Sequence, residues 1–164
     1  MSDQFKISLS FAGIAGTLLL LGLIYYLAFR TALPAPLGRL HLGSLAPAGG
    51  VEGSAFLGSL PSLIHVTAFG LLTCAVLRPS VLSALVAGAA WAGLDVVWEL
   101  SCADHQAWLR LGGELIGVGS VPACTYDVGD IVASIAGAAA VTGIAWLVLK
   151  IHSVPSPTAQ EQQE

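Results

Sequence analysis

Asp127, Asp130, Ser134 and Gly137 follow one another at intervals of three and four residues, just where the sequence turns apolar. On an α-helix that spacing puts all four on one face. Asp95 and Glu99 lie four apart near the end of another apolar run and so also share a face, with Trp91 one turn earlier and Trp98 beside them. His65 stands near the start of a third run. Carboxylates and an imidazole at the mouths of apolar helices can hold a cation or an amine, or can tie helix ends together.

Each of these residues also has a purely structural use. Asp127 fits the N-cap and Asp130 the N3 position of a helix, where carboxylates satisfy free backbone amides and complement the positive end of the dipole. His65 can be a buried hydrogen-bonding residue. Glu99 has no capping use at the C-terminal end of its own helix, where the dipole disfavours an anion, and this makes it the strongest ligand candidate. Asp95 lies deeper and requires a partner, which protonation, His65 or a water-filled pocket would supply.

Other chemistries fit less well. Zinc sites take several His or Cys ligands, and an oxygen-rich calcium or magnesium site has no need of the histidine, so a metal stays an open question and no cofactor is expected. The nucleophile motif G-x-S-x-G is absent. Cys102 and Cys124 bracket one connection and form a candidate disulfide in an oxidising compartment, while Cys74 reads as a packed small hydrophobe. An enzyme acting on a lipid phosphate would need a basic residue to hold it, and Arg110 is the only nearby candidate.

The elements that must position these groups follow from composition. Of 164 residues 55% are hydrophobic and 10% charged, with a mean hydropathy of +0.82. A soluble domain of this size could not bury so much apolar surface, so the solvent is a bilayer. Ten acidic against six basic residues leave a net charge of -4, with no basic cluster of the kind that grips nucleic acid. Nineteen glycines suit the close helix packing of membrane proteins, and Gly129, Ala133 and Gly137, with Gly88, Ala89, Ala92 and Gly93, read as packing residues.

The expected fold is an all-α membrane protein, a bundle of four transmembrane helices at about 7–29, 60–77, 81–100 and 128–151, making one domain over 1–152. The first run is longer than a signal-peptide core and reads as a retained anchor whose Tyr25 and Tyr26 sit at the interface. The Pro- and Gly-rich stretch 30–59 reads as a long irregular external loop, and 101–124 as a second long loop between helices three and four. Arg78, Pro79 and Ser80 make a turn so short that helices two and three form a hairpin. The tail 153–164 reads as disordered and cytoplasmic. With antiparallel connectivity, His65, Asp95, Glu99, Asp127 and Asp130 fall at the same end of the bundle. Lys6, Arg78 and Lys150 mark the other end and Arg30, Arg39 and Arg110 this one, a tie for the positive-inside rule on simple counting; the first three lie closer to span ends, and with the cysteine pair they favour both termini in the cytoplasm.

The spacing of Asp127, Asp130, Ser134 and Gly137 resembles the D-x-x-D-x-x-x-N-x-x-G signature of VanZ-like membrane proteins, with Ser134 where that family has Asn. Leu63, Ile64, His65, Val66, Thr67, Ala68 and Phe69 resemble the family's L-x-H-x-x-x-[YF] segment, and Glu99 falls where it has the Glu of E-x-x-Q. The resemblance covers 61–141. Pro61 and Ser62 stand where the family has Asp and Lys, and Cys102 replaces its Gln. What it implies is a protein of the bacterial plasma membrane and cell envelope, linked to resistance to the glycopeptide teicoplanin, with no settled reaction. The resulting expectation is an outward-facing acidic pocket of His65, Asp95, Glu99, Asp127, Asp130 and Ser134 that recognises a lipid or envelope-precursor headgroup. The alternative is a non-catalytic accessory subunit of a larger membrane complex. The expected partners are membrane lipids and, in that alternative, other membrane subunits.

Overall fold

The computed structural model describes residues 3–30, 55–103 and 126–153. They form α1 (Asp3–Phe29), a single turn α2 (Ala55–Gly58), α3 (Leu60–Val76), α4 (Val81–Ala103) and α5 (Val128–His152). Three of these, α1, α4 and α5, are long and apolar enough to cross a membrane, while α3 is a shorter apolar helix. The connections 31–54 and 104–125 and the tail beyond 153 lie outside the described residues.

The helix boundaries differ from the hydropathy reading in ways that local chemistry explains. α1 starts at Asp3 rather than residue 7, because Lys6 Nζ donates to Asp3 Oδ1 at 3.0 Å and gives the polar first turn an i,i+3 ion pair. α4 runs on to Ala103, with Ser101 bonded back to the Val97 carbonyl at 2.6 Å. Its start is sharp, since Ser80 Oγ accepts the Ser83 N–H at 3.0 Å while Ser83 Oγ accepts the Ser80 N–H at 3.0 Å. This reciprocal cap has the logic of a capping box, built here from two serines. The 30–59 stretch, read as irregular, ends in α2, which meets α3 through a single turn residue, Ser59.

α3 is the hub: it packs on α1, α4 and α5, and the α4–α5 pair is the most extensive contact, whereas the backbones of α1 and α4 do not approach each other along their described lengths. Close approach depends on small residues. A Cβ on Gly88 of α4 would lie 3.0 Å from the Ala138 carbonyl oxygen of α5, and one on Gly137 of α5 would lie 3.0 Å from the Leu63 carbonyl oxygen of α3. In both places the obstacle is neighbouring backbone, which cannot rotate away. Gly88, Ala92 and Gly137 are buried as packing residues should be, but Ala89 and Gly93 are exposed, and a Cβ at Gly93 would touch nothing.

Phe11, Leu71, Cys74, Val141 and Ser134 are the largest fully buried side chains. Large apolar groups also cover the outside: Leu20, Leu21, Leu82, Leu85, Val132, Ile135 and Leu147 are each more than half exposed. A coat of that kind is stable against hydrocarbon and unfavourable against water.

Candidate functional site

The six residues singled out by type and spacing all lie toward one end of the bundle. α3 and α5 run parallel, since Ser59, Leu63 and Gly70 meet Gly129, Gly137 and Val141 in the same order, whereas Gly88, Asp95 and Glu99 of α4 meet Ala138, Ser134 and Asp127 in reverse. The start of α3, the end of α4 and the start of α5 therefore come together.

Asp127 is the N-cap of α5, in extended backbone conformation, and its Oδ1 accepts the Gly129 N–H at 2.7 Å. Its own backbone N–H donates to Glu99 Oε2 at 3.1 Å. Glu99 is buried, with 7% of its surface exposed, so its carboxyl serves as an added cap on a neighbouring helix. This corrects the reading of Glu99 as a group without a capping use. The negative end of its own helix disfavours the charge, but the free amides of α5 point at it from across the interface.

Asp130, at the third helical position, does not cap its own helix with its side chain. Its carboxyl lies beside Ser59 and Ser62, at the junction of α2 and α3, and Oδ1 is buried with no hydrogen-bond partner among the described residues. One turn further along α5, the fully buried Ser134 hydroxyl bonds to Asp95 Oδ2 of α4 and lies 2.8 Å from the Asp130 carbonyl oxygen. The partner that Asp95 requires at this depth is thus Ser134. Asp95, Asp127 and Asp130 are near enough to Glu99 for their charges to repel its own, so the bundle gathers four carboxyl groups from two helices.

His65 completes the group from α3. It feels the charge of Asp95, and its ring lies between Tyr26 at 6.2 Å and Phe69 at 6.1 Å, centroid to centroid. Phe69 in turn stacks on Trp91 at 4.9 Å, and Trp91 Nε1 donates to Thr73 Oγ1 at 3.0 Å. The two tyrosines of α1, read from the sequence as interfacial anchors, are turned to other work. Tyr25 is buried and donates its hydroxyl to the Leu57 carbonyl at 2.5 Å, and Tyr26 stacks on the imidazole. Arg30 adds a bond from Nη2 to the Gly58 carbonyl at 3.3 Å, so the end of α1 holds α2 in place beside the acidic end.

Sequence reasoning missed Ser59, Ser62 and Tyr26. The serines stand directly before and within the first turn of α3, and their spacing of three put them on one face. Among the described residues no group of three or more His, Cys, Asp and Glu side chains is arranged to hold a metal ion. Cys102 is disulfide-bonded, Cys74 is free and buried, and Cys124 and Arg110 lie outside the described residues. Compared with family models, curated proteins and solved structures, the chain matches none of them.

Proposed function

We propose that this is a VanZ-like, four-span protein of the bacterial plasma membrane whose acidic end faces outward and recognises a lipid or envelope-precursor headgroup. The observation that carries the reading is the gathering of four carboxyl groups at one end of an apolar bundle, with Glu99 buried and Asp130 Oδ1 buried and unpaired among the described residues. A charge carried below the membrane boundary costs up to about 2.5–3.5 kcal/mol at a helix centre and less toward the helix ends, where these groups lie. Capping explains Asp127 and Glu99, and Ser134 accounts for one oxygen of Asp95. A cationic or amine-bearing group would offset the rest.

Four spans are supported by the junction at Ser59, through which α2 and α3 make a nearly continuous helical run over 55–76. At about 1.5 Å per residue that run is long enough for a hydrocarbon core of about 30 Å. Lys6, Arg78 and Lys150 mark the opposite end and favour placing it, with both termini, in the cytoplasm. The link to glycopeptide resistance rests on the motif resemblance.

The test is lipidomic and native-mass analysis of the protein purified in mild detergent. A headgroup-bearing molecule bound in fixed proportion to the wild type, and lost from Asp130→Asn, is the expected result. Retention of bulk membrane lipid alone, equal in both proteins, contradicts it and favours the carboxyl groups as internal ties within an accessory subunit.

A further inference from the structure

Among the described residues α1 and α4 both pack on α3 and not on each other, which leaves a gap between the two helices. Beside that gap, α3 and α4 together form a groove of about 250 Å³ with His65, Phe69, Trp91, Leu94, Asp95 and Trp98 in its wall. The aromatic rings are set in place: Trp91 by its bond to Thr73 and its stack on Phe69, and His65 by its two flanking rings, Tyr26 and Phe69. Asp95 is the carboxylate in this wall, and among the described residues no lysine or arginine lines it. Ser134 holds Asp95 from behind through Oδ2, the one hydrogen bond of that side chain among the described residues.

A carboxylate surrounded by aromatic faces is complementary to an ammonium group, which gains a charge-assisted hydrogen bond from the one and cation–π attraction from the others. An anionic headgroup would meet repulsion from Asp95 and from the neighbouring carboxyl groups. Counting about 20 residues back from Lys150 puts the hydrocarbon boundary near Asp130, so Ser134 and Asp95 lie about one turn, roughly 5.4 Å, inside it. The groove is flanked at that level by Leu94, 61% exposed. A ligand that keeps its apolar part in hydrocarbon while its cation reaches Asp95 is a lipid.

We propose that this groove on α3 and α4 takes the ammonium headgroup of a membrane lipid, held by Asp95 and the rings of Phe69, Trp91 and Trp98. The proposal rests on the headgroup reading above and adds the class of ligand and the place where it sits. Its test uses the full chain in nanodiscs of mixed phosphatidylethanolamine and phosphatidylglycerol, with retained lipid counted by native mass spectrometry after release. The wild type should hold phosphatidylethanolamine over phosphatidylglycerol by about tenfold. Asp95→Asn, which keeps an acceptor for Ser134, and Trp98→Leu, at a half-exposed wall position, should each bring the ratio close to one. Free ethanolamine should not displace the lipid. An unchanged ratio in both variants, or displacement by free ethanolamine, overturns the proposal. A wild type that prefers phosphatidylglycerol overturns the ammonium assignment and leaves headgroup recognition standing, whereas retention of neither lipid overturns both.

Discussion

Glu99 Oε2 accepts the backbone N–H of Asp127 at 3.1 Å, so a carboxyl near the end of α4 caps the start of α5. Removing that acceptor leaves a partly buried amide without its partner, which costs about 1–3 kcal/mol. Glu99→Ala should therefore lower thermal stability in detergent, and Glu99→Gln, which retains a carbonyl oxygen, should recover most of the loss. Equal destabilisation by both substitutions would show that the negative charge, not the acceptor, holds the helices.

Asp95 and Ser134 form the deepest polar contact between α4 and α5. In a double-mutant cycle with Asp95→Ala and Ser134→Ala, we expect a coupling of about 0.5–3 kcal/mol. Strictly additive losses in unfolding free energy would mean that the two groups act independently.

Helix packing gives a contrast within α4. Gly88→Ala places a methyl against the backbone of Ala138, whereas Gly93→Ala places one in open space. The first should destabilise by about 1–3 kcal/mol through overpacking. The second should be neutral or stabilise by up to about 1 kcal/mol, since alanine is the better helix former. A comparison of unfolding temperatures for the two variants decides the matter, and similar behaviour would contradict the observed packing.

Orientation can be read from thiols. Cys102 is disulfide-bonded at the acidic end, and Cys74 is free but buried. In intact cells, a membrane-impermeant maleimide should label Cys102 only after reduction, and should leave Cys74 unmodified. Labelling that requires permeabilised cells would place the acidic end in the cytoplasm.

Much of this architecture was legible because it rests on local signals. The run at 7–29 is carried by uninterrupted hydropathy, those at 81–100 and 128–151 by hydropathy broken only near their ends, and the turn Arg78, Pro79, Ser80 by its brevity. The shared end of His65, Asp95, Glu99, Asp127 and Asp130 followed from alternating helix direction. What the sequence withheld were contacts between helices. The capping of α5 by Glu99 depends on register across an interface, and the use of Tyr26 against His65 depends on which face α1 turns to α3. Gly93 shows the same limit in reverse: it lies one residue beyond the buried Ala92, and its small size finds no neighbour to admit. Periodicity gives the angular position of a residue on its helix, and only packing decides what stands opposite.

The central claim is that the acidic end contacts a specific headgroup rather than bulk lipid. The most direct measurement is photo-crosslinking in living cells from a diazirine side chain placed at Leu94, beside the groove, and separately at Leu82, near the other end of the same helix, both exposed. Mass analysis of the adducts should show one headgroup class enriched at Leu94 and the bulk lipid mixture at Leu82. Identical adducts at the two positions would contradict the account.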